Sequence, residues 1–157
     1  MKFLQKKNQA GFTIIEVMIV LAIAGVIMVA LFLAVPALQR NSRNNQRSAD
    51  AALIAAAVNE CLASRNGTLA SCDTFLEVSP NYLDVSKLRQ LSTAPVITLA
   101  RPTNPTNTAT ANIGWDAGCA SDGATLKTAA ESTDRQFAVL FNTESTSGGN
   151  ILRCLEG

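Results

Sequence analysis

One long uncharged apolar run near the amino terminus constrains this chain more than any other feature. Between Phe12 and Leu38 the only ionisable side chain is Glu16, so the 22 residues 17–38 carry no charge. A helix rises about 1.5 Å per residue and the hydrocarbon core of a bilayer is about 30 Å thick, so a run of this length is long enough to cross it. The sequence therefore predicts a membrane-spanning helix.

The charges around this run predict its orientation. Lys2, Lys6 and Lys7 precede it, and no acidic residue comes before Glu16. Because an excess of lysine stays on the cytoplasmic side, we expect the amino terminus in the cytoplasm and the rest of the chain outside. A cleaved secretory signal peptide also begins with positive charge. Here, however, the apolar run is about twice the usual length, and no small-x-small cleavage site lies cleanly at its far end.

Glu16 is an unexpected residue inside an apolar run. An ionised carboxylate there costs roughly 2.5–3.5 kcal/mol on insertion scales, and a segment that only directs targeting gains nothing from that cost. The lysine-rich start, Ala10-Gly11 and Phe12-Thr-Ile-Ile-Glu16 together resemble the class III leader and amino-terminal helix of type IV pilins. The resemblance covers residues 2 to about 40. It implies that prepilin peptidase cuts between Gly11 and Phe12, that Phe12 is N-methylated, and that Glu16 directs filament assembly.

The chain is long enough for one anchored helix and one globular head. We predict an α+β pilin fold, in which a long amino-terminal helix packs by its second half on an antiparallel sheet. The predicted parts are a cleaved leader (1–11), a transmembrane and filament-core half of the helix (12–39) and a head (40–157). The head divides into an amphipathic helix half (40–64), a connecting loop (65–94), and the sheet with its carboxy-terminal loop (95–157). The predicted strands are 96–99, 111–117, 135–142 and 151–155, and a short helix is predicted at 86–90.

The second half of the helix has apolar residues at helical spacing. The residues that we expect to pack on the sheet are Ala49, Ala52, Leu53, Ala56, Ala57, Leu62 and Ala63. Arg47, Asp50 and Asn59 lie between them and are expected on the polar side. Asn66-Gly67 predicts that the helix ends near Ser64, because both residues accept the left-handed conformation.

Gly25 and Pro36 interrupt the apolar half. Glycine costs about 1 kcal/mol in a helix interior, and proline removes a backbone hydrogen bond and kinks the axis. One interpretation is a gently bent membrane helix. The other, implied by the resemblance, is a segment that unwinds in the filament. We predict a helix that is continuous and bent at Pro36 in the isolated subunit and that loses hydrogen bonds between Gly25 and Pro36 on assembly.

Arg40, Arg43 and Arg47 fall at i, i+3 and i+7, so they share one face of the helix just beyond the apolar run. We expect these arginines to lie at lipid headgroups or in solvent. The alternative is that they meet an acidic surface of a neighbouring subunit.

Four cysteines, Cys61, Cys72, Cys119 and Cys154, all lie on the predicted outer side. An even count in an exported domain indicates two disulfides, for which three connectivities exist. A zinc site is the rival, but the chain has no Cys-x-x-Cys pair and the spacings do not match a zinc framework. We predict Cys61–Cys72, which closes a short loop, and Cys119–Cys154, which ties down the last strand.

Little in the sequence indicates catalysis or a cofactor. Histidine is absent, and no phosphate-binding, dinucleotide-binding or nucleophile-elbow motif occurs. Asp116 and Asp122 suggest a calcium loop, but their spacing does not match an EF-hand, so we expect a solvated loop without metal. From Glu60 onward seven basic residues face ten acidic ones, which argues against nucleic acid as a partner.

The predicted function is that of a structural subunit of a type IV pilus, serving adhesion, motility or DNA uptake. The alternative is a pseudopilin of a type II secretion or competence apparatus, and a remote one is a single-span exported enzyme or binding module. The expected partners are other copies of the chain, prepilin peptidase and the pilus assembly platform. We expect a single-pass inner-membrane protein with a cytoplasmic amino terminus, which then joins an extracellular filament.

Overall fold

The computed structural model describes residues 11–68, 71–72, 78–79, 81–91, 93, 95–98, 100–128 and 136–157. Residues 1–10 of the predicted leader, together with Leu99 and Arg135 of two predicted strands, lie outside the described residues. The elements are α1 (Ile14–Ser64), a 3₁₀ turn (Val85–Lys87), β1 (Val96–Thr98), β2 (Ala111–Trp115), β3 (Phe137–Glu144) and β4 (Asn150–Glu156). The chain forms two compact units, one ending at Leu38 and one beginning at Gln39.

The first unit consists of the amino-terminal half of α1. Its helix is unbroken through Gly25 and Pro36. It contains an 18-residue window with a mean hydropathy of 3.1, of which no part is buried. Such a helix is long and apolar enough to cross a membrane, and its side chains need lipid or other protein to cover them.

The second unit contains a four-stranded sheet in the order β1-β2-β3-β4. β2 pairs antiparallel with β3, and β3 antiparallel with β4, whereas β1 pairs parallel with β2 through Ile97 and Ile113. The sheet is therefore mixed, where an antiparallel one was predicted. Residues 100–110 return the chain to the end of the sheet at which β1 began, and a connection of about this length is what parallel pairing requires.

The core of this unit lies between the second half of α1 and one face of the sheet. Its large, fully buried side chains include Ile54 and Val58 of the helix and Ile113, Phe137 and Val139 of the sheet. Trp115 is 2% exposed and its ring meets that of Phe137 edge to face, with centroids 5.2 Å apart. Burying such side chains stabilises the fold by about 1.5–3 kcal/mol each. The α+β arrangement of a long helix packed on a sheet is confirmed.

The face of α1 that contacts the core differs from the predicted one. Most of the predicted contact residues are exposed, and Leu53 is 45% exposed, while Arg47 and Asp50 are 4% and 3% exposed. Of the predicted set, Ala57 is buried and Leu62 packs at the edge of the core. Because alanine lies on every side of residues 51–57, the apolar pattern does not select a face. The buried face is decided by the larger side chains of Ile54 and Val58. The polar partners of Arg47 and Asp50 also contribute.

The ends of several elements also differ from the prediction. β2 ends at Trp115, two residues early, β3 continues to Glu144, and the predicted helix at 86–90 is a 3₁₀ turn capped by Asp84. α1 ends at Ser64 as predicted. Asn66 and Gly67 follow it with φ of 54° and 76°, and the Gly67 amide donates to the Leu62 carbonyl, which closes the helix end.

The second face of the sheet is covered by residues 100–110. The side chains of Asn112 in β2 and Asn142 in β3 donate to the carbonyls of Thr103 (2.8 Å) and Pro105 (2.7 Å), so this loop contacts both strands. At Gly114 a Cβ atom would lie 2.2 Å from the Ala100 carbonyl oxygen. The glycine that weakens the strand pattern in the sequence is therefore required by this close approach.

Candidate assembly site

The predicted cleavage and assembly residues lie at the exposed start of α1. Phe12 is 89% exposed, and a Cβ atom built on Gly11 would meet nothing within 4 Å. Phe12 and Glu16 line a groove of about 190 Å³ together with Val17, Val20 and Leu21. The described side chains leave both the predicted cut and the carboxylate accessible.

Glu16 and Thr13 form a reciprocal cap at the start of the helix. The backbone amide and the hydroxyl of Thr13 donate to Oε2 of Glu16 (2.9 and 2.8 Å), and the Glu16 amide donates to the Thr13 hydroxyl (3.4 Å). This is a capping box, which satisfies amides that have no partner within the helix. The sequence analysis missed it, although the Thr-x-x-Glu spacing is its signal. Both bonds to the carboxylate use Oε2, and no described group donates to Oε1.

Gly25 and Pro36, the predicted helix break, lie within the continuous helix. A Cβ atom at Gly25 would meet nothing within 4 Å beyond its own helix. Contacts within the described part of the subunit therefore do not require glycine there. Unwinding on assembly stays a prediction.

The three arginines beyond the apolar run contact the end of β3. Arg43 donates from Nε to Oε1 (3.0 Å) and from Nη2 to Oε2 (2.6 Å) of Glu144, and Arg47 donates to Oε1 of the same carboxylate (2.8 Å). Arg40 donates to the Ser145 carbonyl (3.1 Å). The expectation that these side chains lie in solvent or at headgroups is wrong for Arg43 and Arg47, because Glu144 provides an anion within the head.

Asn44 completes this contact. Its Nδ2 donates to the Glu144 carbonyl (2.9 Å), and its Oδ1 accepts from the Glu144 amide (2.8 Å). We call this group the arginine clamp: Arg40, Arg43, Asn44 and Arg47 on the helix, Glu144 and Ser145 on the sheet. Hydrogen bonds from Arg43 and Arg47 lower the pKa of Glu144 to about 2. Nothing in the sequence pairs residues 100 positions apart, so this site could not be predicted.

Asp50 is buried, although the sequence analysis placed it on the polar side. Its Oδ2 accepts the backbone amides of Arg89 (3.0 Å), Gln90 (2.6 Å) and Leu91 (2.9 Å). These bonds satisfy both the carboxylate and three amides of the connecting loop. Asp50 therefore holds that loop against the helix.

The cysteines are joined as Cys61–Cys72 and Cys119–Cys154, with Cα atoms 6.2 and 5.6 Å apart. This is the pairing that the sequence analysis expects. In the described ranges no three His, Cys, Asp or Glu side chains are grouped so as to hold a metal. The Asp122 carboxylate accepts the amides of Ala124 and Thr125 and the Thr125 hydroxyl, which lower its pKa and engage the oxygens that calcium would need.

Comparison with known proteins identifies the amino-terminal segment. Residues 6–32 match the family model of the prokaryotic N-terminal methylation motif. No curated protein and no solved structure shows significant similarity to the chain. The chain therefore carries the class III leader of type IV pilins. The motif supports a type IV pilin or pseudopilin and points to a structural protein.

Proposed function

We propose that this chain is a subunit of a type IV pilus, cut between Gly11 and Phe12 by prepilin peptidase and polymerised through the apolar half of α1. The observation that carries the proposal is the methylation motif on an exposed apolar helix that continues into a disulfide-bonded head. Before assembly the subunit is a single-pass inner-membrane protein with its amino terminus in the cytoplasm. The assembly platform then moves it into an extracellular filament.

The apolar half of α1 supports a role in a helical bundle. Every described side chain of residues 11–39 is exposed in the single chain, including Met28, Phe32 and Leu33. Lipid covers this surface before assembly, and other copies of the same helix cover it in the filament. From Val17 to Leu38 the helix has no polar side chain, which suits such packing because no polar side chain of this stretch has to be satisfied across the bundle.

Glu16 sets the register of the incoming subunit in this proposal. Cleavage frees a positively charged amino group on Phe12, at the depth of the carboxylate. Each charge is costly in an apolar bundle, so pairing Glu16 of one copy with the Phe12 amino group of the next neutralises both. The free Oε1 leaves room for this bond while Oε2 keeps the cap to Thr13.

The test separates the role of Glu16 in capping the helix from its role in pairing with the Phe12 amino group of another copy. Glu16→Ala is expected to leave cleavage and membrane insertion intact and to abolish filaments. Thr13→Val is the matched control, because it removes the capping hydroxyl and keeps the carboxylate, and we expect it to retain filaments. Electron microscopy of the two variants decides, and normal filament numbers in Glu16→Ala would overturn the assignment.

The methylation motif supports a pseudopilin equally, so the type of fibre needs its own observation. A pseudopilin of a secretion or competence apparatus would form short periplasmic fibres. Long surface filaments that contain this chain favour the pilus subunit. Loss of secretion or DNA uptake without any surface filament favours the pseudopilin.

A further inference from the structure

We propose that the arginine clamp holds residues 39–48 of α1 in a helical conformation and that this segment is a helix–coil switch. When Glu144 releases the arginines, residues 39–48 unwind while the head from Asp50 onward stays folded. The switch lies outside the predicted break between Gly25 and Pro36. It does not depend on the proposed function.

The segment is attached to the head by polar groups alone. Residues 39–48 read Gln-Arg-Asn-Ser-Arg-Asn-Asn-Gln-Arg-Ser and include no apolar side chain. The first buried apolar residue of the helix in this unit is Ala51. Besides the clamp, the described contacts to the head are Arg47 with the Thr108 carbonyl and Gln46 with the Gln90 side chain. Apart from Arg47, which is 4% exposed, the segment can leave the head without exposing a buried side chain of its own, which keeps the free energy of opening low.

The sequence of the segment does not favour a helix by itself. Three asparagines and two serines lie in ten residues, and both types are weak helix formers because their side chains compete for backbone groups. The like charges of Arg40, Arg43 and Arg47 repel one another along one face. Glu144 offsets this repulsion, since its carboxylate bonds to two of the three guanidinium groups. Without Glu144 the like charges oppose the helix, and only the three arginines and two glutamines of the segment favour it by propensity.

The neighbouring stretch of helix, residues 51–61, is held by apolar packing and a disulfide. Ala51, Ile54, Val58 and Cys61 are buried in the core, and Cys61 is bonded to Cys72. Asp50 fixes the beginning of this stretch through three backbone amides. The boundary between the switch and the stable helix therefore lies at residues 48–50.

The experiment is hydrogen exchange of the full chain in detergent micelles, read by mass spectrometry of peptides covering residues 41–48 and 52–61. Glu144→Gln keeps the size of the side chain and removes its charge. Because the substitution removes the charge that two guanidinium groups bond to, we expect exchange of 41–48 to accelerate about tenfold or more. Exchange of 52–61 should stay at the parent rate.

Glu60→Gln is the matched control, because it makes the same change at an exposed position of the same helix. It should leave both peptides at the parent rate. If Glu144→Gln does not fold, Arg43→Gln replaces it, and we expect a smaller acceleration confined to residues 41–48. An unchanged rate for 41–48, or an equal acceleration of both peptides, would overturn the proposal.

Discussion

The pKa of Glu144 is the most strongly shifted among the carboxylates of the described residues of the head. Arg43 and Arg47 lower its pKa from 4.5 to about 2 by donating hydrogen bonds to the charged form. Because the pKa is lower in the folded chain, this carboxylate stabilises the fold above its unfolded pKa and loses that effect as the pH falls towards about 2. Thermal unfolding of the full chain should therefore show a loss of stability between these two values that Glu144→Gln lacks. The same pH dependence in both proteins would contradict the clamp.

Replacing Asp50 should lower the free energy of unfolding more than replacing any exposed acidic residue of the head. Asp50→Ala leaves three backbone amides of residues 89–91 without their acceptor, and each unsatisfied buried group costs about 1–3 kcal/mol. Because two of these amides belong to partly exposed residues, we expect a total loss of about 2–4 kcal/mol in the free energy of unfolding. Denaturant titration measures it. Asp84→Ala, which removes the cap of a 3₁₀ turn and an exposed ion pair with Lys87, should cost less than about 1 kcal/mol.

The sequence supports predictions for single residues where the signal is local, and the roles of Gly11, Phe12 and Glu16 stay predictions. Gly11, Phe12 and Glu16 lie within one short motif, and the cap between Thr13 and Glu16 spans three residues. The clamp and the loop anchor of Asp50 join positions 39 to 105 residues apart. No periodicity indicates such pairs, so Arg47 and Asp50 were assigned to the polar side of the helix.

At the scale of the elements, the sequence predicted which helix and strands form. It did not predict which face of the helix contacts the core or how β1 pairs. The helix, its end at Ser64 and the four strands follow from apolar spacing, turn residues and β-branched runs. The face of the helix was missed because alanine has little preference between core and solvent. The parallel pairing of β1 was missed because it depends on the path of residues 100–110, which sequence patterns do not specify.

The apolar half of α1 gives a prediction for the filament. Gly25→Ala with Pro36→Ala should leave the isolated subunit folded, since a Cβ at Gly25 meets nothing and the helix is already continuous. In the filament the double variant should stretch less under pulling, because both substitutions strengthen helical hydrogen bonding. Force spectroscopy of the filaments measures the extension. A parent-like extension, or a filament map with unbroken helix at these positions in the parent, would mean that the segment does not unwind.

At the scale of the whole molecule, the two disulfides contribute to the stability of the head. Cys61–Cys72 joins the helix end to the connecting loop, and Cys119–Cys154 joins β4 to the loop after β2. Loss of either bridge through paired Cys→Ser substitutions should lower the free energy of unfolding by about 2–4 kcal/mol. Peptide mapping without reduction tests the connectivity, and a Cys61–Cys154 or Cys72–Cys119 peptide would contradict it.

The most direct test of the pilin assignment is mass spectrometry of the material sheared from the cell surface. If the chain is a processed filament subunit, the sheared fibre contains it with an N-methylated Phe12 as its first residue. Gly11→Val should leave only uncut precursor in the membrane fraction. A surface form that still carries residues 1–11, or that begins beyond Phe12, would contradict the assignment.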